Sequence, residues 1–194
     1  MIEVRDLIIE NNDGIILDIQ KLNIDKQDFV CIMGKSGAGK STLLNVIFGL
    51  IEPNKGYINV GCCDMGYSTQ DASFVPYLSV LEHILVSIKE ERRKIYAQKI
   101  LSRFGIENKL SEYYSNLSGG QKRICSLANA IARGEKLLLL DEPFNDLDNL
   151  KIKELVSILN EINSKGTTIV MTTHHIIDNL NITNNYNIVN GKLV

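Results

Sequence analysis

Residues 29–50 read FVCIMGKSGAGKSTLLNVIFGL, and three consecutive parts of that stretch decide the fold. Phe29 to Met33 is a short apolar run suited to a buried strand, Gly34 to Gly39 is a glycine-punctuated loop, and Ser41 to Leu50 has the apolar spacing of a helix. A strand that turns through glycines into a helix is the setting in which the pattern G-x-x-x-x-G-K-[ST] binds phosphate. Gly34 to Ser41 (GKSGAGKS) matches that pattern throughout. The glycines let successive backbone N–H groups turn inward, and the helix N-terminus adds a favourable dipole. Lys40 reaches the β- and γ-phosphates, and the Ser41 hydroxyl serves Mg²⁺. Gly34, Lys35, Ser36, Gly37, Ala38, Gly39, Lys40, Ser41 and Thr42 are therefore the expected nucleotide site.

Outward from this loop, residues 2–10 and 15–24 alternate apolar and polar around Asn12-Asp13-Gly14, which reads as a hairpin. A turn at Pro53 to Gly56 precedes short strands at Tyr57 to Val60 and Met65 to Ser68, the second leading into Gln70. From Val80 to Ser118 the pattern is helical, and Gly105 interrupts it, so separate helices are expected to join near Phe104 to Glu107. A helix follows at Gln121 to Arg133, then Lys136 to Leu140 (KLLLL), a continuous apolar run typical of a strand buried on both faces of a parallel sheet. Leu150 to Ser164 is an amphipathic helix, Thr167 to Thr172 a buried strand, and Asn187 to Val194 a hairpin turned at Asn190-Gly191. The expected architecture is one α/β domain over residues 1–194. It comprises a P-loop core with a mostly parallel sheet, a small N-terminal antiparallel β subdomain, and a compact helical subdomain at about residues 71–129.

Bulk properties narrow the function. The chain has 194 residues, 44% hydrophobic and 23% charged, enough for one sizeable core, and no apolar run reaches the roughly 20 residues that span a bilayer. The N-terminus MIEVRDLIIE lacks the basic start and cleavage site of a secretory signal, so the chain is expected in the cytoplasm. A net charge of −2 gives no global drive toward nucleic acid, and the four cysteines lack the paired spacing of a zinc site.

Three further segments bear on chemistry. Leu117 to Gln121 reads LSGGQ: a serine and two glycines opening a helix offer a hydroxyl, unhindered N–H groups and a dipole end, which suit either an anion or an ordinary helix cap. Asp141 and Glu142 end the buried strand, where open α/β sheets place their chemistry. His174 follows the strand TTIVMT and Thr173.

Taken together, GKSGAGKST, LSGGQ, LLLLDEP (Leu137 to Pro143) and the downstream histidine closely resemble the ATP-binding cassette family over nearly the whole chain. The resemblance implies an ATPase that uses ATP and Mg²⁺ in a nucleotide-sandwiched dimer. Ser118, Gly119, Gly120 and Gln121 would then contact the γ-phosphate held by a second cassette. Asp141, Ser41 and Gln70 would serve the metal, Glu142 would be the general base, and Gln70 and His174 would sense the γ-phosphate. Asn145-Asp146-Leu147-Asp148 takes the place of the D-loop, which makes Asp148 a contact across the dimer. His174 is preferred over its neighbour His175 by its position at the strand end.

The family also implies a transmembrane permease subunit as partner, with the chain peripheral on the inner face of the cell membrane and no nucleic acid bound. A cassette that drives mechanical work through a membrane protein without moving a solute fits the same residues. DNA-acting cassettes are disfavoured because fewer than eighty residues separate Ser41 from Leu117, too few for long coiled-coil or zinc insertions. Two departures stand out. About thirty residues separate Lys40 from Gln70, which predicts a trimmed β subdomain, and no Phe, Tyr or Trp precedes Phe29 to stack on adenine. Weak discrimination between ATP and GTP is expected.

Overall fold

The computed structural model describes residues 1–12, 14–70 and 74–194. The chain opens with β1 (Ile2–Asn11), β2 (Gly14–Ile24) and β3 (Phe29–Met33), then α1 (Lys40–Phe48), β4 (Lys55–Val60) and β5 (Met65–Ser68). Next come α2 (Val80–Ser87), α3 (Glu91–Arg103), α4 (Gly119–Arg133), β6 (Leu137–Asp141), α5 (Asn149–Ser164) and β7 (Thr168–Thr173), and β8 (Asn184–Val189) and β9 (Lys192–Leu193) close the chain. Asp13 of the predicted hairpin turn, and Asp71, Ala72 and Ser73 at the predicted start of the helical subdomain, lie outside the described residues.

The central sheet has the order β5-β6-β7-β3-β8-β9, with every pairing parallel except β8 with β9. Its inner strands β3, β6 and β7 are buried on both faces because both are covered. Phe29, Cys31, Leu138, Leu140, Ile169 and Met171 face a core that includes residues of α3, α4 and α5. The alternate residues Val30, Ile32, Leu137, Leu139 and Val170 face a second core built with α1 and the N-terminal strands. Period-two alternation thus explains why KLLLL and FVCIM carry no polar residue at their centres. The N-terminal strands form a separate antiparallel sheet, β2-β1-β4, in which Ile2 pairs with Ile24 on one side and Val60 on the other.

The helical segment differs from its sequence pattern in two respects. The chain breaks at Ile88, Lys89 and Glu90 as well as at Gly105, because buried Ile88 leaves α2 in extended conformation (φ −119°, ψ 116°). Beyond Gly105 the chain forms two 3-10 turns, Glu107–Lys109 and Tyr114–Asn116, and no further α-helix before α4. At the other end β8 runs parallel to β3, with Val30 opposite Asn184 and Met33 opposite Asn187. The closing hairpin therefore also extends the main sheet.

Helix α4 is seated on β5 with unusual closeness. A Cβ on Gly66 would run into the carbonyl of Ala130, and one on Gly134 would lie 2.5 Å from the Gly66 nitrogen. The buried hydroxyls of Ser68 and Ser126 share a hydrogen bond of 2.9 Å across the same contact. No helix among the described residues is long and apolar enough to cross a membrane.

Candidate functional site

The glycine loop leaves β3 beneath β2 and β8. At Gly34 (φ +155°) a side chain would meet the Ile188 carbonyl at 2.6 Å, and at Gly39 (φ +102°) it would meet Leu17 Cδ2 at 2.6 Å. Both positions combine positive φ with a close neighbour, so only glycine fits without displacement. Gly39 is also the N-cap of α1, and it offers no side-chain acceptor; no acidic residue occupies the first turn of that helix. Ser79, Ser118 and Asp148 cap α2, α4 and α5 with side-chain oxygens. The N-terminus of α1 is thus left with its N–H donors and positive dipole end available to an anion.

Lys40 is buried, 7% exposed, with its ammonium inside the curve of the loop. Nζ donates to the carbonyl of Gly34 at 2.8 Å and to that of Lys35 at 3.2 Å, and lies 3.5 Å from Glu142 Oε1. Glu142 Oε2 in turn is 2.9 Å from His174 Nδ1. The carboxylate therefore bridges an ammonium and an imidazole at the mouth of the loop. Glu142 is held at φ +48°, a left-handed conformation that costs a non-glycine residue of order 1–3 kcal/mol. Its N–H donates to the Thr172 carbonyl at 3.1 Å, which ties the strained residue to β7. Asp141, 2% exposed, accepts the Thr172 hydroxyl at 2.5 Å on Oδ1.

These groups surround a cavity of about 480 Å³ whose lining includes Lys35, Ser36, Gly37, Gly39, Lys40, Ser41 and Thr42 from the loop and α1, with Gln70, Glu142 and His174 from the strand ends. Ile16 of β2 forms part of its wall, and none of the lining residues is Phe, Tyr or Trp. Asp141 lies behind Glu142 and does not line it. Among the described residues no cluster of three His, Cys, Asp or Glu could hold a metal by itself.

The other predicted residues lie elsewhere. Ser118, Gly119, Gly120 and Gln121 are absent from the loop cavity. They open α4 as a capping box, in which Ser118 Oγ accepts from the Gln121 N–H at 3.3 Å and Gln121 Oε1 accepts from the Ser118 N–H at 2.9 Å. Within the single chain this segment is therefore a well-made helix cap. Asp148 caps α5 through the Lys151 N–H at 2.9 Å, and the Lys151 ammonium, 2.7 Å away, holds its carboxyl below the usual carboxylate range. His175 packs its ring 3.8 Å from that of His174. His83 meets the Val75 carbonyl at 2.9 Å and the Phe74 and Tyr114 rings.

Arg123 belongs to none of the sequence motifs, yet it is buried beside the site. Its guanidinium, 5% exposed, donates through Nη1 to the Thr69 carbonyl at 2.6 Å, through Nη2 to the Asp141 carbonyl, and through Nε to the Pro143 carbonyl at 3.5 Å. Burial pulls its pKa below the ordinary guanidinium value, opposed by the nearby Asp141, Asp146 and Glu142 charges. It closes the polar stretch Gln121-Lys122-Arg123 at the start of α4, so nothing in the local sequence marks it as buried.

A glycine loop between a parallel strand and a helix, with two acids at the end of another strand of the same sheet, defines a P-loop nucleoside triphosphatase. The ABC transporter family model matches residues 17–145, and the chain belongs to that family as an ATP-binding cassette ATPase. It is 34% identical over 187 residues to the ABC transporter ATP-binding protein YtrE of Bacillus subtilis, covering 85% of this chain and 80% of YtrE. It is 32% identical to the macrolide export ATP-binding/permease protein MacB of Pasteurella multocida, covering 90% of this chain but 31% of MacB. Among solved structures, the dimeric structure of MJ0796, a bacterial ABC transporter cassette, superposes with TM-score 0.87 at 26% identity, covering 100% of this chain and 96% of that one.

Proposed function

We propose that this chain hydrolyses ATP at the interface of two cassettes and drives a separately encoded membrane protein. The observation that carries the catalytic part is the bridge Lys40–Glu142–His174 at the loop mouth, 3.5 Å from Lys40 Nζ to Glu142 Oε1 and 2.9 Å from His174 Nδ1 to Glu142 Oε2. The triphosphate lies in the loop with its β- and γ-oxygens against Lys40 and the α1 N-terminus. Glu142 accepts a proton from the attacking water as its oxygen adds to the γ-phosphorus, and the bond from that phosphorus to the bridging oxygen breaks to release ADP and phosphate. His174 holds Glu142 by the Nδ1 contact and presents its other ring nitrogen toward the γ-phosphate.

Ser41, Gln70 and Asp141 are the residues that would hold Mg²⁺. All three offer hard oxygen donors, and two line the loop cavity. When bound, the ion neutralises charge on the phosphate oxygens. So few carboxylates suit Mg²⁺, which takes much of its coordination from phosphates and water.

The separation of Ser118–Gln121 from the loop cavity supports a composite site, in which a second chain supplies that segment to the γ-phosphate and Asp148 reaches across. The dimeric form of the similar cassette MJ0796 supports the same reading. Exposed apolar side chains at the helical end, among them Tyr77 (76% exposed) and Val86 (75%), support docking of a membrane permease and a peripheral location on the membrane's inner face. MacB, which joins ATP-binding and permease functions in one name, supports the pairing. The deciding assay is turnover by Glu142→Gln. A loss of about a hundredfold or more in kcat, with ATP still bound, is expected, whereas wild-type turnover would refute the general-base role.

A further inference from the structure

Arg123 sits two residues beyond the LSGGQ segment, on the side of α4 that faces the sheet. Its three acceptors are all main-chain carbonyls at strand ends. Thr69 immediately precedes Gln70, Asp141 immediately precedes Glu142, and Pro143 immediately follows it. One rigid, planar group with donors at fixed angles thus gathers the two loops that present Gln70 and Glu142. A buried guanidinium is costly unless its donors are satisfied, and an apolar side chain would fill the same volume more cheaply. Packing alone does not account for the choice of residue.

A second contact joins the same elements. The Asp146 carbonyl packs against Gly120 so closely that a Cβ there would lie 2.6 Å from it. The start of α4 is therefore in register with both the Glu142 turn and the segment after it.

We infer that Arg123 is a positioning residue that makes placement of Gln70 and Glu142 in one chain depend on the seating of that chain's own Ser118–Gln121 segment. The inference deepens the composite-site reading and rests on it. In the dimer, Ser118–Gln121 engages the triphosphate held by the second cassette. The N-terminal turn of α4 is fixed by that engagement, and Arg123, on the next turn, carries the constraint to the general base of its own site. Each active site is thus informed that the other is occupied, which commits both nucleotides together.

Arg123→Met and Arg123→Lys in the whole chain test this. Methionine keeps the volume and loses the donors; lysine keeps the charge and part of the donor capacity. Arg123→Met is expected to bind ATP within about threefold of wild type while kcat falls about a hundredfold, the scale that a 1 Å misplacement of a catalytic group produces. Arg123→Lys is expected to recover at least about a tenth of wild-type kcat. Introduced with Glu142→Gln, Arg123→Met is expected to leave ATP-driven dimer formation in place, because Ser118–Gln121 are themselves intact.

Wild-type kcat in Arg123→Met would overturn the inference. So would a kcat loss matched by equal losses of ATP binding and thermal stability, with lysine no better than methionine, since that pattern belongs to a folding role. Failure of Glu142→Gln alone to dimerise with ATP would sink the composite-site reading, and the kcat ratio of Arg123→Met to wild type at unchanged ATP affinity would still judge the positioning role.

Discussion

Glu142 concentrates the demands of the site. It is buried, bridges Lys40 and His174, and occupies a left-handed backbone conformation that β7 holds in place through Thr172. Strain of this kind persists where surrounding structure over-determines it, and it aims the carboxylate out of the strand into the cavity. The glycines of the loop are equally specified. Gly39→Ala forces a Cβ onto Leu17 at φ +102°, and ATP affinity by equilibrium titration is expected to fall about tenfold or more, the equivalent of about 1.4 kcal/mol.

Ile16 lines the loop cavity and is proposed to face the base of the nucleotide. Its side chain is aliphatic, so Ile16→Tyr is expected to tighten ATP up to about tenfold by adding roughly 0.5–1.5 kcal/mol of stacking. Matched steady-state assays of the wild type are expected to show ATP and GTP turned over at comparable rates. A strong preference for ATP would contradict that. The cysteines divide by burial. Burial pushes Cys31 up to about 11 and Cys125 up to about 12, while Cys63 is exposed. A thiol reagent at pH 8 is expected to modify Cys63 fast in the native chain and Cys31 and Cys125 only after denaturation.

Among the elements, α4 joins the two half-sites proposed for the chain, since its first turn is the LSGGQ segment and its buried face carries Arg123 and Ser126 onto β5. Gly66 permits that approach. Gly66→Ala drives a Cβ into the Ala130 backbone and is expected to destabilise the fold by about 1–3 kcal/mol, read as a lowered midpoint in thermal or urea unfolding. An unchanged midpoint would show that α4 can shift outward without loss.

The sequence was most legible where a local rule was strong. Phe29–Met33, Met65–Ser68 and the glycine loop could be placed from pattern alone, because a buried parallel strand and a phosphate loop leave little freedom of composition. Three features were illegible for physical reasons. The break at Ile88 sits in an unbroken helical pattern and is set by tertiary burial of one side chain. The parallel pairing of β8 with β3 is carried by NNYNIV, in which Ile188 alone is buried, so no apolar run announces it. Arg123 reads in one dimension as a surface cation, and only the fold brings three carbonyls around it.

At the scale of the whole molecule, the loop cavity holds one set of catalytic groups while Ser118–Gln121 lies outside it. In the proposed dimer a single chain carries two half-sites, and the nucleotide joins them to those of a second cassette. Exposed Tyr77 and Val86 lie in the helical part of the chain, where a membrane partner is proposed to dock. ATP-dependent closure of two chains is read from the solution mass of Glu142→Gln with and without ATP and Mg²⁺ by light scattering. A monomer that doubles in mass with ATP, and that fails to do so when Ser118→Arg is added, is the predicted result. A mass unchanged by ATP, or a doubling that survives Ser118→Arg, would contradict it.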